Sequence, residues 1–397
     1  MGIETIASKD AFTTYIESVQ SREGYRDPIA FGIARVDRGQ QNAEKVLQAN
    51  FATVNWHENY GSAAVFLDAL QAARVTVDFA ASECVATLND AFVTHAMALL
   101  APFLSEATGD AHNNVQVIKH LAAREDIGKD YRIVFLFDDA APRSVEAVYL
   151  KLYALSLGKA PLRGVNLTGA FGILPNVAWV GNTPYELAYL RANEIAMKLD
   201  GIYPDISSVD KFPRFLQHVI PADNTRILDA AKVRMGAQLA PGTTVMPGAS
   251  YINFNAGTLG AVMVEGRISS SAVVGSGSDV GGGASILGVL SGTDGNPVTI
   301  GENTLLGANS VTGLPLGDGC IVDAGMTILA GTKIKVAPEQ LAKIRTANPE
   351  ADLPEKTTFK GVELQGLNGI HYRVDSTSGE VMARRSTREV KLNTELH

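Results

Sequence analysis

The stretch Val262-Met-Val-Glu-Gly-Arg-Ile268-Ser-Ser-Ser-Ala-Val-Val274-Gly-Ser-Gly-Ser-Asp-Val280-Gly-Gly-Gly-Ala-Ser-Ile286 decides the fold of this chain of 397 residues. Its numbered aliphatic residues stand six positions apart, and the same spacing recurs over a longer region. The other members of this hexad series are Val233, Leu239 and Val245, then Ala256, then Ile300, Leu306 and Thr312, and finally Leu316, Val322, Ile328 and Ile334. An α-helix repeats every 3.6 residues and a strand every two, so neither sustains a period of six, whereas a parallel β-helix of hexapeptide repeats does.

The hexad series also predicts how such a coil is filled. One inward-pointing aliphatic residue per hexad fills the interior that three short faces share, and stacked coils bury these residues continuously. Glycines at the corners are expected to take positive φ angles, which other residues reach only at a steric cost. These glycines are Gly236, Gly242, Gly248, Gly301, Gly307, Gly313, Gly325 and Gly331. A disordered glycine-rich linker, the alternative, would lack the phased aliphatic residues.

The predicted fold class is an α/β N-terminal domain, a left-handed parallel β-helix and a small C-terminal β cap. The expected domain boundaries are 1–220, 221–336 and 337–397. In the first domain the patterns predict a mixed α/β sheet, with helices at 90–107, 144–157, 185–199 and 209–220 and strands at 29–36, 74–79, 131–137 and 177–180. A cap is expected because a terminal coil would otherwise expose its apolar interior; its predicted strands lie at 359–364, 370–374 and 380–392.

The six-residue spacing is interrupted at 249–255 and again at 288–297. Each interruption predicts a loop that leaves the coil. Such loops commonly line the binding face of a repeat protein, so the neighbouring coils are where we expect the functional site.

The composition favours a soluble metabolic protein that binds small molecules. The formal net charge is −8 and basic residues form no long run, which argues against nucleic acid and anionic membranes as partners. Only two cysteines are present, which favours a reducing compartment. The N-terminal sequence lacks the basic and apolar segments of a secretion signal, so we expect a cytoplasmic protein.

Histidine usage narrows the chemistry of the coil. Hexapeptide coils belong mostly to acyltransferases that use thioesters, and in a minority of cases to carbonic anhydrases. None of the seven histidines lies between Val233 and Lys335. The coil sequence therefore excludes a three-histidine zinc site on the coil, and it excludes acetyltransferases that use a coil histidine as general base.

Glu265 is the carboxylate of the coil that stands out. It lies in the otherwise apolar segment 261–267, where a carboxylate would be partly desolvated and suited to act as a base. Arg267 could instead form a plain ion pair with it, and the residues alone leave both roles open. Glu302, Asp318 and Asp294 lie in turn-like settings, where a solvated corner carboxylate is the simpler interpretation.

The glycine-rich segment 275–288 suggests a nucleotide-binding loop at first sight. However, no βαβ pattern surrounds it, and it contains the hexad residues Val280 and Ile286. Its glycines more plausibly let a pantetheine arm or a thioester approach the backbone, where amide N–H groups could stabilise an oxyanion.

Several long motifs in residues 205–397 closely resemble tetrahydrodipicolinate N-succinyltransferases, in their larger, actinobacterial-like form. They are Ala240-Pro-Gly-Thr-Thr-Val-Met246, Asn253-Phe-Asn-Ala-Gly-Thr-Leu-Gly260, Met263-Val-Glu-Gly-Arg-Ile268, Ser278-Asp-Val-Gly-Gly-Gly-Ala-Ser-Ile286 and Leu305-Leu-Gly-Ala-Asn-Ser310. The resemblance implies transfer of succinyl from succinyl-CoA to the amine of L-2-amino-6-oxopimelate, the opened form of tetrahydrodipicolinate, in diaminopimelate and lysine biosynthesis.

The resemblance also implies roles for individual residues. Glu265 matches the catalytic acidic residue, as a base or as a nucleophile that forms a mixed anhydride, and we favour the base. Gly288 matches the backbone N–H that stabilises the thioester oxyanion. Residues matching succinyl-CoA contacts are Arg267, Gly282, Ser285, Ala308, Asp323, Ala324, Gly331, Lys360, Arg373 and Ser376, among which Lys360 and Arg373 suit CoA phosphates.

Two further implications concern metal and assembly. Members of the larger form carry two acidic residues for a divalent cation on a trimer axis, and the aligned positions here are Ala231 and the pair Gly248-Ala249. Since these side chains cannot ligate, no metal is predicted, although Asp229 lies nearby. The resemblance implies a homotrimer with active sites between the β-helices of neighbouring subunits.

Two other functions remain open at the level of sequence. One is a CoA-dependent acyltransferase that acts on a different amine. The other is a non-catalytic trimeric scaffold whose glycine-rich coil is purely structural.

Overall fold

The structure, a computed structural model, describes residues 5–289, 293, 295–387 and 392. The chain forms two compact units. The N-terminal unit comprises residues 1–154 and 165–213, and the coil unit comprises 155–164 and 214–397. In the described part of the chain, no helix combines the length and the apolar character needed to cross a membrane.

The N-terminal unit contains a five-stranded antiparallel sheet flanked by helices. Its strands are β1 Ala30–Arg38, β2 Val46–Phe51, β3 Asn55–Trp56, β4 Glu83–Thr87 and β5 Tyr131–Leu136, in the order β2-β1-β5-β4 with β3 beside β1. A second antiparallel sheet has the order β7-β6-β8, with β6 Val177–Val180, β7 Thr183–Glu186 and β8 Ser208–Asp210. The helices are α1 Lys9–Gln20, α2 Tyr60–Ala72, α3 Asp90–Leu99, α4 Asn113–Ala122, α5 Val145–Ser156, α6 Ala170–Ile173 and α7 Leu187–Leu199.

Helix α2 lies at the centre of this unit because nearly every residue along it is apolar. Residues Ala63 to Leu70 are all buried, including Asp68, which is 8% exposed. Phe66 packs between Phe31 of the sheet and Phe92 of α3, with ring centroids 6.1 and 5.9 Å away. The main core thus joins the sheet to α2 and α3.

Several predictions for this unit are wrong. Residues 74–79 belong to no strand, since the segment begins and ends in turns, and the next strand along the chain is β4 instead. The expected helix at 209–220 is replaced by the end of β8 and by a 3₁₀ turn at Phe215–Gln217, because Pro213 interrupts the helical pattern. The first sheet is antiparallel throughout, not mixed.

The coil unit contains three stacks of short parallel strands that the chain visits in rotation. The first face holds β9 Arg226–Ile227, β10 Thr244–Val245, β13 Met263–Val264, β16 Asp279–Val280, β19 Leu305–Leu306 and β21 Ile321–Val322. The second holds β11 Tyr251–Ile252, β14 Arg267–Ile268, β17 Ser285–Ile286, β20 Val311–Thr312 and β22 Thr327–Ile328. The third holds β12 Gly257–Thr258, β15 Val273–Val274 and β18 Thr299–Ile300, continued by a bridge to Leu316.

The hexad prediction is confirmed by burial. Every residue of the series is buried except Leu239, which is half-buried. The inward column of the first face runs through Val245, Val264, Val280, Leu306 and Val322, each paired with the next. Parallel strands one coil apart therefore place like residues directly over one another.

The phase differs from the prediction in one place. The inward strand positions of the third and first faces are Thr258 and Val264, although Ala256 and Val262 are also buried. The series returns to the predicted phase at Ile268, because only Glu265 and Gly266 connect β13 to β14. This is the tightest connection between the first and second faces.

The corner glycines follow two physical requirements, not one. Gly236, Gly242, Gly248 and Gly325 have the expected positive φ, whereas Gly301, Gly307, Gly313 and Gly331 do not. At Gly301 and Gly307 a β-carbon would lie within 2.4 and 2.5 Å of backbone in the next coil. Close stacking, rather than backbone conformation, excludes side chains at those two positions.

The C-terminal segment covers the last coil and extends its first face. Strand β23 Lys333–Lys335 is followed by helix α8 Pro338–Ala347, strand β24 Thr358–Lys360 and a 3₁₀ turn at Gly361–Leu364. Strand β25 Ile370–Val374 pairs parallel with β21 and antiparallel with β26 Val381–Arg385. The prediction of 370–374 is confirmed, 359–364 is strand only at its start, and the end of 380–392 lies largely outside the described residues.

Candidate functional site

The short connection from β13 to β14 positions Glu265. Its backbone N–H donates to the carbonyl of Val280 (2.8 Å), and its carbonyl accepts from Gly283 (3.2 Å). The next residue, Gly266, has no space for a side chain, since a β-carbon would lie 2.3 Å from the carbonyl oxygen of Ala284. Contacts with Val280, Gly283 and Ala284 of the next coil therefore fix the backbone that carries the carboxylate.

Glu265 lies on a ridge that we call the first corner, formed by the last four connections from the first face to the second. Its residues are 265–266, 281–284, 307–310 and 323–326. A β-carbon on Gly282 would lie 3.6 Å from Glu265 Oε2, so glycine keeps the space beside the carboxylate open. Four predicted site residues, Gly282, Ala308, Asp323 and Ala324, lie along this ridge.

The second face beside this ridge carries Arg267 and Ser285, which are paired in register on β14 and β17. The guanidinium of Arg267 donates to Ser285 Oγ from Nη2 (2.6 Å) and Nε (3.1 Å). No ion pair joins Arg267 to Glu265, both of which the structure describes. The alternative of a plain ion pair is thus not realised, and the carboxylate is left for other partners.

The second corner, formed by the connections from the second face to the third, carries Gly288, and Gly331 lies in the connection from β22 to β23. Among the described residues, the amide N–H of Gly288 has no hydrogen-bond acceptor, while its carbonyl accepts from Thr293 Oγ1 (3.4 Å). Gly288 also lies against Ser269 and Ser270 of the preceding coil, 3.2 to 3.4 Å from where its β-carbon would be.

Lys360 has a neighbour that the sequence analysis missed. On the antiparallel strands β23 and β24, Lys333 and Lys360 stand directly opposite each other. Two ammonium groups in this register repel each other unless an anion lies between them. The same segment lies next to Gly331, because Gly361 donates to the carbonyl of Thr332 and Val362 to that of Ala330.

Asp323 belongs to a polar chain that the sequence did not reveal. His371 Nε2 donates to Asp323 Oδ1 (2.7 Å), and Arg384 Nη2 donates to His371 Nδ1 (3.2 Å). Both ring nitrogens are therefore engaged, which leaves His371 to orient Asp323 rather than to act as a base. Arg373 and Ser376 follow on β25 and in the turn after it.

The residues at the aligned metal positions do not fit a divalent cation. Lys232 Nζ donates to the carbonyl of Gly248 (2.6 Å) and lies 4.0 Å from Asp229 Oδ2. Asp229 Oδ1 in turn accepts from the N–H of Ala231 (2.9 Å). An ammonium group thus provides the positive charge here, and no cluster of three or more ligating side chains occurs within the described ranges.

Together, a coil of hexapeptide repeats and a ridge that carries the half-buried carboxylate of Glu265 fit the class of hexapeptide-repeat transferases. Profiles described as tetrahydrodipicolinate N-succinyltransferase N-terminal and middle match residues 10–172 and 174–214, and a hexapeptide repeat of succinyl-transferase matches 297–330. The chain belongs to the tetrahydrodipicolinate N-succinyltransferase family.

Several relatives and a solved structure match nearly the whole chain. A 2,3,4,5-tetrahydropyridine-2,6-dicarboxylate N-succinyltransferase from Sulfurovum sp. is 78% identical over 100% of both chains. The enzyme of that name from Campylobacter jejuni is 56% identical, covering 99% of this chain and 100% of the relative. A crystal structure from C. jejuni, provisionally described as a 2,3,4,5-tetrahydropyridine-2-carboxylate N-succinyltransferase, superposes with a TM-score of 0.92 at 54% identity, covering 98% and 100% of the two chains.

Proposed function

We propose that this chain transfers the succinyl group of succinyl-CoA to the amine of tetrahydrodipicolinate in its open form, L-2-amino-6-oxopimelate. The step belongs to diaminopimelate and lysine biosynthesis. Family membership supports the reaction, and the observation that carries the site is Glu265 alone in the tightest connection of the coil, with Gly282 leaving space beside its carboxylate.

In this proposal Glu265 acts as the general base. Its carboxylate accepts a proton from the substrate ammonium, and the free amine attacks the thioester carbonyl carbon. The N–H of Gly288, which has no acceptor among the described residues, stabilises the oxyanion of the tetrahedral intermediate. Collapse of the intermediate forms the C–N bond and breaks the C–S bond, the nitrogen loses its second proton to give the neutral amide, and the expelled CoA thiolate takes up that proton, while Glu265 returns its own proton to solvent. A base is favoured over a mixed anhydride, because an anhydride would have to survive against water.

Succinyl-CoA is proposed to lie along the second face and its two corners. The small residues Gly282, Ala308, Ala324 and Gly331 leave the ridges low enough for a pantetheine arm. Arg267, held by Ser285, is a candidate partner for the succinyl carboxylate. Towards the C terminus, Lys360 with Lys333 and Arg373 supply positive charge for the CoA phosphates, and Asp323 and Ser376 supply polar contacts.

We extend the proposal to the architecture around this site. The coil is left-handed. The chain divides into three functional domains, which are an α/β domain over 1–220, a β-helix over 221–336 and a cap over 337–397. The active form is a cytoplasmic homotrimer, with active sites between the β-helices of neighbouring subunits. The two free thiols, Cys84 and Cys320, fit a reducing compartment such as the cytoplasm. Analytical ultracentrifugation would test the trimer, since a monomer that keeps full activity contradicts it.

The reaction is tested by CoA release with succinyl-CoA and the cyclic imine. Glu265→Gln should bind both substrates but turn over at least about a hundredfold slower, the usual scale for loss of a general base. The matched control is Glu302→Gln, which changes an exposed coil carboxylate away from the first corner and should keep the wild-type rate.

Each alternative has its own outcome in this experiment. Full activity of Glu265→Gln would remove Glu265 from the mechanism. Faster turnover with a different amine acceptor would favour another acyltransferase, and failure of the wild-type chain to bind succinyl-CoA in calorimetry would favour a structural scaffold.

A further inference from the structure

The N-terminal unit contains a cavity of about 540 Å³ beside the C-terminal end of α2. Its lining includes the apolar residues Leu67, Val77 and Phe79 and the charged residues Arg22, Glu23 and Arg74. A volume of this size, with an apolar wall and a few charged groups, is typical of small-molecule sites. The mechanism proposed above uses none of these residues.

Arg74 is the first observation that points to a ligand. It follows α2 with a φ of +62°, in the left-handed region that glycine or asparagine usually occupies after a helix. Its N–H donates to the carbonyl of Gln71 (3.0 Å), and Val75 donates to that of Leu70 (2.9 Å), so this turn closes the helix. An arginine at such a position costs conformational energy, and strain of this kind is concentrated at functional sites.

The charged side chains around the cavity differ in whether they have hydrogen-bond or ion-pair partners. Arg22 donates to Asp68 Oδ1 (2.5 Å) and to Gln71 Oε1 (3.1 Å), and the other oxygen of Asp68 accepts from Tyr15 and His95 (both 2.7 Å). Asp68 therefore already has three donors, and Arg74 is not one of them. Arg74 and Glu23 are both exposed, and across the described residues neither the Arg74 guanidinium nor the Glu23 carboxylate has a hydrogen-bond or ion-pair partner in the protein, so both are available to a ligand.

The backbone along the cavity also has N–H groups that donate to no protein acceptor in the described residues. Residues 74–79 have the composition of a strand but pair with none, and the N–H groups of Thr76 and Val77 have no acceptor in the described part of the chain. Backbone donors without partners beside a cavity are available to a bound carboxylate or carbonyl.

We propose that this cavity binds a small zwitterion, an α-amino acid with an unbranched aliphatic side chain. Arg74 takes the carboxylate, Glu23 takes the ammonium group, and the aliphatic chain lies on the wall formed by Leu67, Val77 and Phe79. The proposal is independent of the succinyl transfer proposed above, because no residue is shared between the two sites.

The test uses L-norleucine as the probe, with hexanoate and pentylamine as analogues that lack one charge each. Calorimetry on the full chain should show norleucine binding at least about tenfold tighter than either analogue, because each charged hydrogen-bonded contact is worth about that much. Absence of norleucine binding up to about 10 mM would overturn the proposal.

The decisive variant is Arg74→Gly, because a purely structural role and a ligand role predict opposite results. Glycine suits the positive φ, so the unfolding midpoint without ligand should stay the same or rise, while norleucine binding should weaken at least about tenfold. Arg74→Asn replaces it as the test variant if the glycine variant is unstable, because asparagine also tolerates a positive φ. Unchanged binding in a folded variant would contradict the assignment.

Two controls separate this site from others. His120→Ala alters a second cavity, of about 450 Å³, and should leave norleucine binding unchanged. Saturating cyclic imine should also leave it unchanged, because norleucine bound at the succinyl-acceptor site would be displaced by that substrate. If binding is lost in either control but kept in Arg74→Gly, the cavity is not the site.

Discussion

The two compact units of this chain encode their structures in different ways. In the coil unit a strand pairs with the strand one coil further on, as Val264 does with Val280. In the N-terminal unit Ile33 pairs with Ile133, across the intervening helices α2, α3 and α4. The first relation repeats from coil to coil, at 16 to 19 residues except for the 26 between Val280 and Leu306, and can be read from the chain. The second joins two strands that no repeat relates.

The difference teaches where residue spacing is informative. Each coil has the same three faces, so an inward residue is identified by its phase alone, and the predicted series is buried almost without exception. Sheet order in the N-terminal unit depends on which helices cover which face, and this depends on packing of Phe31, Phe66 and Phe92 rather than on local pattern.

The largest effect is expected from a charge placed on the inward column. Val280→Asp should lower the free energy of unfolding by more than about 4 kcal/mol, because Val280 is 0% exposed and no partner can compensate a buried carboxylate. Urea denaturation measures the loss. The control Thr327→Asp, at an exposed outward position of β22, should cost less than about 0.5 kcal/mol. Equal losses of unfolding free energy in the two variants would show that a residue's position in the six-residue repeat does not decide whether it is buried.

A smaller loss is expected from the buried polar cluster of the N-terminal unit. Asp68→Asn should cost about 2–4 kcal/mol near neutral pH, because it removes the charge that serves Arg22, Tyr15 and His95. Burial alone would raise the pKa of Asp68, but these three hydrogen bonds outweigh it and keep the pKa below its usual value.

The pH dependence of this effect has a definite sign. A carboxylate whose pKa is lowered by folding adds stability above its unfolded pKa, and this stability is lost as the pH falls through the folded pKa. The gap between the wild-type chain and Asp68→Asn should therefore be full at neutral pH and shrink in acid. A gap that widens in acid would contradict the charged cluster.

A moderate effect on catalysis is expected from the cap. His371→Ala should raise KM for succinyl-CoA about tenfold and leave kcat within about twofold, because Asp323 loses the donor that orients it. His371→Gln keeps a donor and should restore most of the affinity. A fall in kcat at constant KM would instead indicate that His371 takes part in the chemistry.

The smallest effect is expected at Lys232. Lys232→Met should cost about 1 kcal/mol in thermal denaturation, since the carbonyl of Gly248 loses a charged donor. Treatment of the wild-type chain with a chelator should leave the succinylation rate unchanged. A chelator-sensitive rate restored by a divalent cation would show that a metal acts there after all.

The candidate site was predictable in part. Glu265 stands out in the sequence as a lone carboxylate in an apolar stretch, and the structure places it with Gly282, Ala308 and Ala324 on one ridge. The partners from the cap were not predictable, because His371 and Lys333 become neighbours of Asp323 and Lys360 only through pairing between strands far apart in the chain. The residue roles themselves stay predictions.

The sequence by itself determined the coil, its inward residues and the chemistry it excludes, because in a repeat every coil faces the same local requirement. Only the tertiary structure decided that Glu265 lies in the tightest connection between two faces and that a histidine from the cap joins a coil that has none of its own. It also decided that residues 74–79, strand-like in composition, line a cavity instead of a sheet. The physical reason is that spacing specifies contacts between neighbouring coils, while contacts between distant segments depend on packing of the whole unit.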